Sequence, residues 1–178
     1  MLRACARAIA IAAMASICAV AAPPPVARAQ AAAAVAESPD DAAVRSTWST
    51  LDAMWNARDA ERFSALFTAD SSFGFVDRGQ SLESRATIRQ HFAGQFAKFG
   101  PDLRHRTSID QVRVVAADVR TADGKVEILR NETGQRPEPA VLKTFAIFAV
   151  MLRTAEGWRI RVLRAYELPA TTGASPHD

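Results

Sequence analysis

The sequence predicts an α+β domain, with helices gathered in its N-terminal half and an antiparallel meander behind them. Apolar residues recur at helical spacing between residues 39 and 99. From residue 105 onwards apolar and polar residues alternate, and Ala155-Glu156-Gly157 supplies a tight hairpin signal between the last two alternating runs. Helices followed by a run of strands pack on one face of a sheet.

The chain opens on a leader. Arg3 and Arg7 give a positive start, residues 8–22 are an uncharged apolar run, and Pro23-Pro24-Pro25 precedes Ala27-Arg28-Ala29. That order is the signature of a secretory signal peptide, with cleavage after Ala29. The apolar run is shorter than the roughly 20 residues that span a bilayer, and Ile17 is too bulky before Cys18 for a lipid anchor. The resulting plan is a signal peptide over 1–29, a flexible lead-in over 30–38, one domain over 39–168 and a disordered tail over 169–178. The destination is the periplasm or the medium, with no membrane attachment after cleavage.

Removing the leader changes the electrostatics. The chain has 22 Lys+Arg and 19 Asp+Glu. Arg3, Arg7 and Arg28 leave with the leader, so 19 of each sign remain. A nucleic-acid partner needs a retained basic stripe, and none is left. Cys5 and Cys18 leave as well, so the mature chain has no disulfide, thiolate nucleophile or cysteine ligand.

Ser38-Pro39-Asp40-Asp41 starts the first helix: a capping serine, proline at the first helical position, then acids facing the helix dipole. Val44, Trp48, Leu51 and Trp55 form one apolar stripe along it. A shorter helix follows, with Ala60, Phe63, Leu66 and Phe67 as its buried face. Residues 71–76 read as a strand and Asp77-Arg78-Gly79-Gln80 as a turn. Ser84 caps a third helix with apolar positions Ile88, Phe92, Phe96 and Phe99, stopped by Gly100-Pro101.

Four strands complete the pattern: His105 to Val115, a run within Val119 to Leu129, Val141 to Leu152 and Trp158 to Glu167. Between the first two, either Asp123-Gly124 or Ala116-Ala117-Asp118 could form the corner. The run over 141–152 is apolar on both faces. Leu142, Phe145, Ile147, Phe148, Val150 and Met151 cannot all face one set of helices, and a second copy covering the sheet is the economical partner.

Three segments carry a resemblance. Trp55-Asn56-Ala57-Arg58-Asp59-Ala60, continued by Phe63 to Phe67 and Thr68-Ala69-Asp70, resembles the opening of SnoaL-like domains of the nuclear-transport-factor-2-like superfamily. Gly79 to Ile88 is similar to the Gly-x-x-Leu-x-Gly-Arg-x-x-Ile segment of that superfamily's SgcJ/EcaC group, with Ser84 where glycine is usual. Glu156-Gly157-Trp158-Arg159-Ile160 resembles its closing strand. The resemblance implies a cone: a strongly curved mixed, mostly antiparallel sheet around the first helix, with a pocket at its open end and commonly a dimer. It favours the corner at 116–118. The group carries an oxidoreductase label, while cone-fold relatives include isomerases, cyclases, dehydratases and proteins without chemistry, so fold alone does not assign a reaction.

No GxGxxG, P-loop or GxSxG is present, which leaves nicotinamide and flavin chemistry without a fingerprint, and no cofactor is expected. His91, His105 and His177 lack metal-ligand spacing, so no metal is expected. Alternation puts Trp158, Ile160, Val162, Arg164 and Tyr166 on one face of the last strand. Tyr166 could then donate to a carbonyl oxygen and Arg164 could hold a carboxylate or enolate. Asp70 and Asp77 flank the first strand, and either could be a general base if apolar walls raise its pKa. Trp48, Leu51, Trp55, Phe73 and Phe75 supply such walls for a small apolar molecule.

Structural readings stand beside these. Trp48 and Trp55 can be core packing, Asp70 a helix or turn cap, Asp77 part of its turn, His105 a surface residue, and Arg85 a bridge to carboxylates near the helix start. Two functions remain open: a cofactor-independent acid/base enzyme of isomerase, cyclase or dehydratase type, and a non-catalytic periplasmic binding or assembly module. A paired acid and base inside the pocket discriminates between them.

Overall fold

The first helix forms as its sequence dictates. In the computed structural model, which describes residues 37–131 and 139–169, helix α1 spans Pro39–Asn56, and the Ser38 hydroxyl accepts the Asp41 backbone N–H at 3.1 Å. Its stripe of Val44, Trp48, Leu51 and Trp55 is buried. Helix α2 (Ala60–Ala65) is capped by Asp59, and helix α3 (Arg85–Phe96) by Ser84. Ser84 sits at φ 108°, a backbone region that favours glycine, and its hydroxyl accepts the Thr87 N–H. The expected leader, most of the lead-in (30–36) and the tail from 170 lie outside the described residues.

Six strands form one open mixed sheet: β1 (Phe67–Phe75), β2 (Gln80–Glu83), β3 (Leu103–Ala116), β4 (Val119–Arg130), β5 (Ala140–Thr154) and β6 (Gly157–Glu167). Their order is β2-β1-β6-β5-β4-β3, with β1 parallel to β6 and every other pair antiparallel. Strand β1 starts at Phe67, a residue that the helical spacing places on the buried face of α2. Strand β2 lies between the predicted turn, which ends at Gln80, and the predicted cap at Ser84, where the sequence predicts no strand. A 3-10 turn over Val76–Arg78 separates β1 from β2 and closes on Gly79 at φ 58°.

The corner between β3 and β4 lies at 116–119, and Gly124 stands mid-strand opposite Ile109. A Cβ on Gly124 would collide with the Ser108 carbonyl oxygen, so close backbone approach requires glycine there, not a turn. The register of β3 slips between Ile109 and Gln111, and that of β5 against β6 between Val150 and Met151. Each slip is a bulge, and bulges bend a sheet.

The second slip overturns the predicted facing of the last strand. Val150 pairs with Val162 and Met151 with Ile160, which leaves Arg161 as the extra residue. Trp158 and Ile160 face the helices, but beyond the bulge the buried residues are Leu163 and Ala165. Val162, Arg164 and Tyr166 therefore lie on the outer face beside Val150, Phe148 and Ala146. Arg85 also departs from expectation: its Nε donates to the Phe67 carbonyl at 2.8 Å and bridges no carboxylate among the described residues.

Candidate functional site

Helices α1 and α3 and the inner face of the sheet enclose a cavity of about 370 Å³. Trp48, Leu51 and Trp55 reach it from α1, Phe73 and Phe75 from β1, and His91, Phe92 and Gln95 from α3. The sheet adds His105, Val126, Phe145, Ile147, Leu163 and Ala165, while Arg78 and Lys143 belong to its charged part. All five apolar residues named from the sequence thus converge on one cavity. Trp48 and Trp55 serve the core as well as the wall.

The polar candidates do not join them. Tyr166 is 42% exposed on the outer face. Arg164 lies on that face too, donating to the Ser72 and Leu163 carbonyls. Asp70 is exposed and pairs with Arg161 at 3.1 Å. Asp77 is exposed and accepts the Glu167 backbone N–H, so it builds its turn region. The bulge at Arg161 reverses the facing of β6 and so carries Arg164 and Tyr166 outward, while Asp70 lies in the register break of β1 between Phe67 and Ser72 and Asp77 in the 3-10 turn over Val76–Arg78.

The acid and base that do pair are Asp52 and His105, of which His105 alone lines the cavity. His105 Nδ1 lies 2.6 Å from Asp52 Oδ1, and the Asp52 carboxylate also accepts the Thr107 backbone N–H at 2.8 Å and the Thr107 hydroxyl at 2.6 Å. A carboxylate can only accept, so Nδ1 carries the hydrogen and a neutral ring keeps Nε2 as its acceptor. The ring lines the cavity and stacks on Trp55, with centroids 5.1 Å apart. The His105 side chain is 9% exposed, which corrects its reading as a surface residue. The sequence did signal this facing: His105, Thr107 and Ile109 alternate on one side of β3, and Ile109 belongs on the covered side.

Two further groups shape the wall. Burial beside Phe75 and Phe92 lowers the His91 pKa below the ordinary histidine value, and Arg78 and Lys98 add to the shift. The Trp48 indole N–H is buried without a partner among the described residues, a donor that a ligand oxygen could satisfy.

A family model for the SnoaL-like domain matches residues 36–164. The chain belongs to the SnoaL-like domain family. Solved structures agree on the fold. An NTF2-like protein with a cystatin-like fold from Novosphingobium aromaticivorans superposes with a TM-score of 0.65 at 22% identity, covering 76% of this chain and 86% of that one. A ketosteroid isomerase-like protein from Erwinia carotovora atroseptica gives 0.58 at 13% identity, over 75% and 99%. A candidate scytalone dehydratase from N. aromaticivorans gives 0.59 at 15%, over 72% and 83%. No curated protein matches the sequence.

In this SnoaL-like domain the motif Trp55-Asn56-Ala57-Arg58 has a physical task. Asn56 Oδ1 accepts the His105 backbone N–H at 2.8 Å, and Asn56 Nδ2 donates to the His105 carbonyl at 3.0 Å. Arg58, at φ 60°, donates to the Gly100 and Leu103 carbonyls, and its guanidinium lies 4.4 Å from the Trp55 ring centroid. The end of α1 is thereby tied to the start of β3, and Asp52 is held against His105.

Proposed function

We propose that the protein is a cofactor-independent acid/base enzyme acting on a small, largely apolar molecule, with His105 as the proton-transfer group and Asp52 as its orienting partner. The observation that carries this is His105 in the wall of a largely apolar cavity, its Nδ1 held by Asp52, which does not itself line the cavity. With Nδ1 held by Asp52, Nε2 can take a proton from carbon beside a carbonyl and return it elsewhere, as in an isomerase. Returning it to a departing hydroxyl would make the chemistry that of a dehydratase. Developing negative charge on the carbonyl oxygen needs donors, and the Trp48 indole N–H and Gln95 amide stand in the same wall.

The test uses 2-tetralone in deuterium oxide, followed by proton NMR. Loss of the α-proton signals at least about a hundredfold faster than in buffer is expected, the low end of what a positioned acid/base group supplies. Exchange no faster than in buffer sinks the catalytic reading. The non-catalytic binding module would then stand, favoured by the aromatic rings of Trp48, Trp55, Phe73, Phe75 and Phe92 around the cavity.

Export and pairing belong to the same proposal. The basic start, apolar run and Ala27-Arg28-Ala29 support a periplasmic or secreted protein. The outer sheet face, where Phe148 and Tyr166 are exposed beside Val150 and Val162, supports a homodimer through the sheet. Native mass spectrometry of the protein from its host should give twice the mass of a chain beginning near Gln30. A mass that includes Met1 refutes export, and a monomer at micromolar concentration refutes the dimer.

A further inference from the structure

We propose that the cavity selects a small apolar molecule bearing a carboxylate, with the carboxylate seated at the rim on Arg78 and Lys143. This rests on reading the cavity as a ligand site and adds the charge of its ligand. Among the described residues that line the cavity, Arg78 and Lys143 are present and no aspartate or glutamate is. Their side chains are 50% and 47% exposed, whereas Trp48 and Leu51 are almost wholly buried, so the cations mark the solvent edge and the apolar wall lies deeper.

The spacing of the two cations already suits a carboxylate. Arg78 Nη2 lies 3.2 Å from Glu167 Oε2, and Lys143 Nζ lies 2.5 Å from Glu167 Oε1, so one carboxylate spans the pair with one oxygen to each. Those contacts hold the Glu167 carboxyl below the usual carboxylate range, Lys143 contributing most. Arg78 also lies over the Phe75 ring, 5.5 Å from its centroid, and Phe75 is itself a wall residue. An arginine has five donors and a lysine three, so Glu167 leaves donors on both for an incoming anion. Glu167 and Asp77 stand close by as counter-charges but do not line the cavity. The ligand's carboxylate would share or replace Glu167, while its apolar body enters toward Trp48 and His105.

The experiment is calorimetric titration with 4-phenylbutanoate and with 4-phenylbutanamide, which have the same shape and differ in charge. The wild type should bind the carboxylate about tenfold more tightly, the scale of a charge-assisted hydrogen bond. Added salt should erode that preference, because the rim is exposed. The Arg78→Gln/Lys143→Gln double variant should bind both probes alike, with its amide affinity unchanged. Glu167→Gln, which frees both cations, should tighten carboxylate binding alone. Equal affinities in the wild type, a preference for the amide, a preference that survives the double substitution, or no binding of either probe would each overturn the inference. The 2-tetralone experiment reads catalysis separately: exchange without carboxylate preference overturns this inference alone, and preference without exchange overturns catalysis alone.

Discussion

Arg120→Ala is expected to lower folding stability by about 3 kcal/mol, the low end of what breaking a buried ion pair costs. Arg120 is 6% exposed. Its guanidinium donates to the Ala116 and Val119 carbonyls, and it contacts Asp41 at 3.2 Å and Asp40 at 3.3 Å at the start of α1. It also lies 5.2 Å from the Trp158 ring centroid, and Arg153 lies 5.0 Å from the same ring. Removing Arg120 deprives two acids of a partner and takes a charged donor from two carbonyls. Asp40 keeps Arg153 and both acids keep some water, which holds the cost at the low end. For a domain of this size, about 3 kcal/mol corresponds to a melting temperature lower by about 10 °C. Arg106→Ala is the control. Its pair with Glu127 is exposed and should matter by less than about 1 kcal/mol. If the two variants melt within about 2 °C of each other, the Arg120 cluster does not secure the helix.

That cluster bears on the site because α1 is fastened at both ends. Arg120 ties Asp40 and Asp41 to the sheet, and Asn56 and Arg58 tie the far end to β3. Asp52 sits on the same helix. Its distance to His105 is thus set by anchors on either side of it, which is the support a proton-transfer pair needs.

Much of this architecture could be read from the sequence because it depends on local patterns. The α1 stripe follows from helical spacing, the Ser38 and Ser84 caps from hydroxyls ahead of apolar periodicity, and the last hairpin from Gly157, which adopts φ 104°. The apolar cavity wall follows from the same stripe together with strand alternation at Phe73 and Phe75. What could not be read depends on register. Alternation along β6 holds only while pairing is regular, and a single extra residue at Arg161 moved Arg164 and Tyr166 to the outer face. Strand β2 is four residues long and contains one buried residue, Leu82, too little for a periodicity signal. Asp52 and His105 escaped for another reason. The alternation of His105, Thr107 and Ile109 marks the covered side of β3, but Asp52 lies off the apolar stripe of α1, and a contact written in hydrogen bonds leaves no apolar pattern to pair the two.

His105→Gln is expected to lower the rate of α-proton exchange by about 10² to 10⁴, the range ascribed to one positioned acid/base group. Glutamine keeps a donor for Asp52 and fills most of the space against Trp55, but cannot accept and return a proton. Asp52→Asn should cost about 10² or more by a different route. The introduced amide NH₂ must stand either at the Oδ1 position, facing His105 Nδ1 and the Thr107 hydroxyl, or at the Oδ2 position, facing the Thr107 backbone N–H, and in either case a hydrogen bond reverses or is lost. If that amide donates to Nδ1, the ring hydrogen shifts to Nε2, and the nitrogen that should accept the substrate proton is occupied. Both variants should bind 4-phenylbutanoate with affinity within about threefold of wild type, because Arg78 and Lys143 are untouched; threefold is well under the tenfold that about 1.4 kcal/mol represents. A slow rate with intact binding separates chemistry from folding. His105→Ala adds the measurement that a purely structural histidine would not move: imidazole in the buffer should restore part of the lost exchange rate by occupying the vacated space beside Trp55 and Asp52. Full activity in His105→Gln, or slow exchange in His105→Ala that imidazole cannot raise, would remove His105 from the chemistry and leave the Asp52 pair as an anchor between α1 and β3.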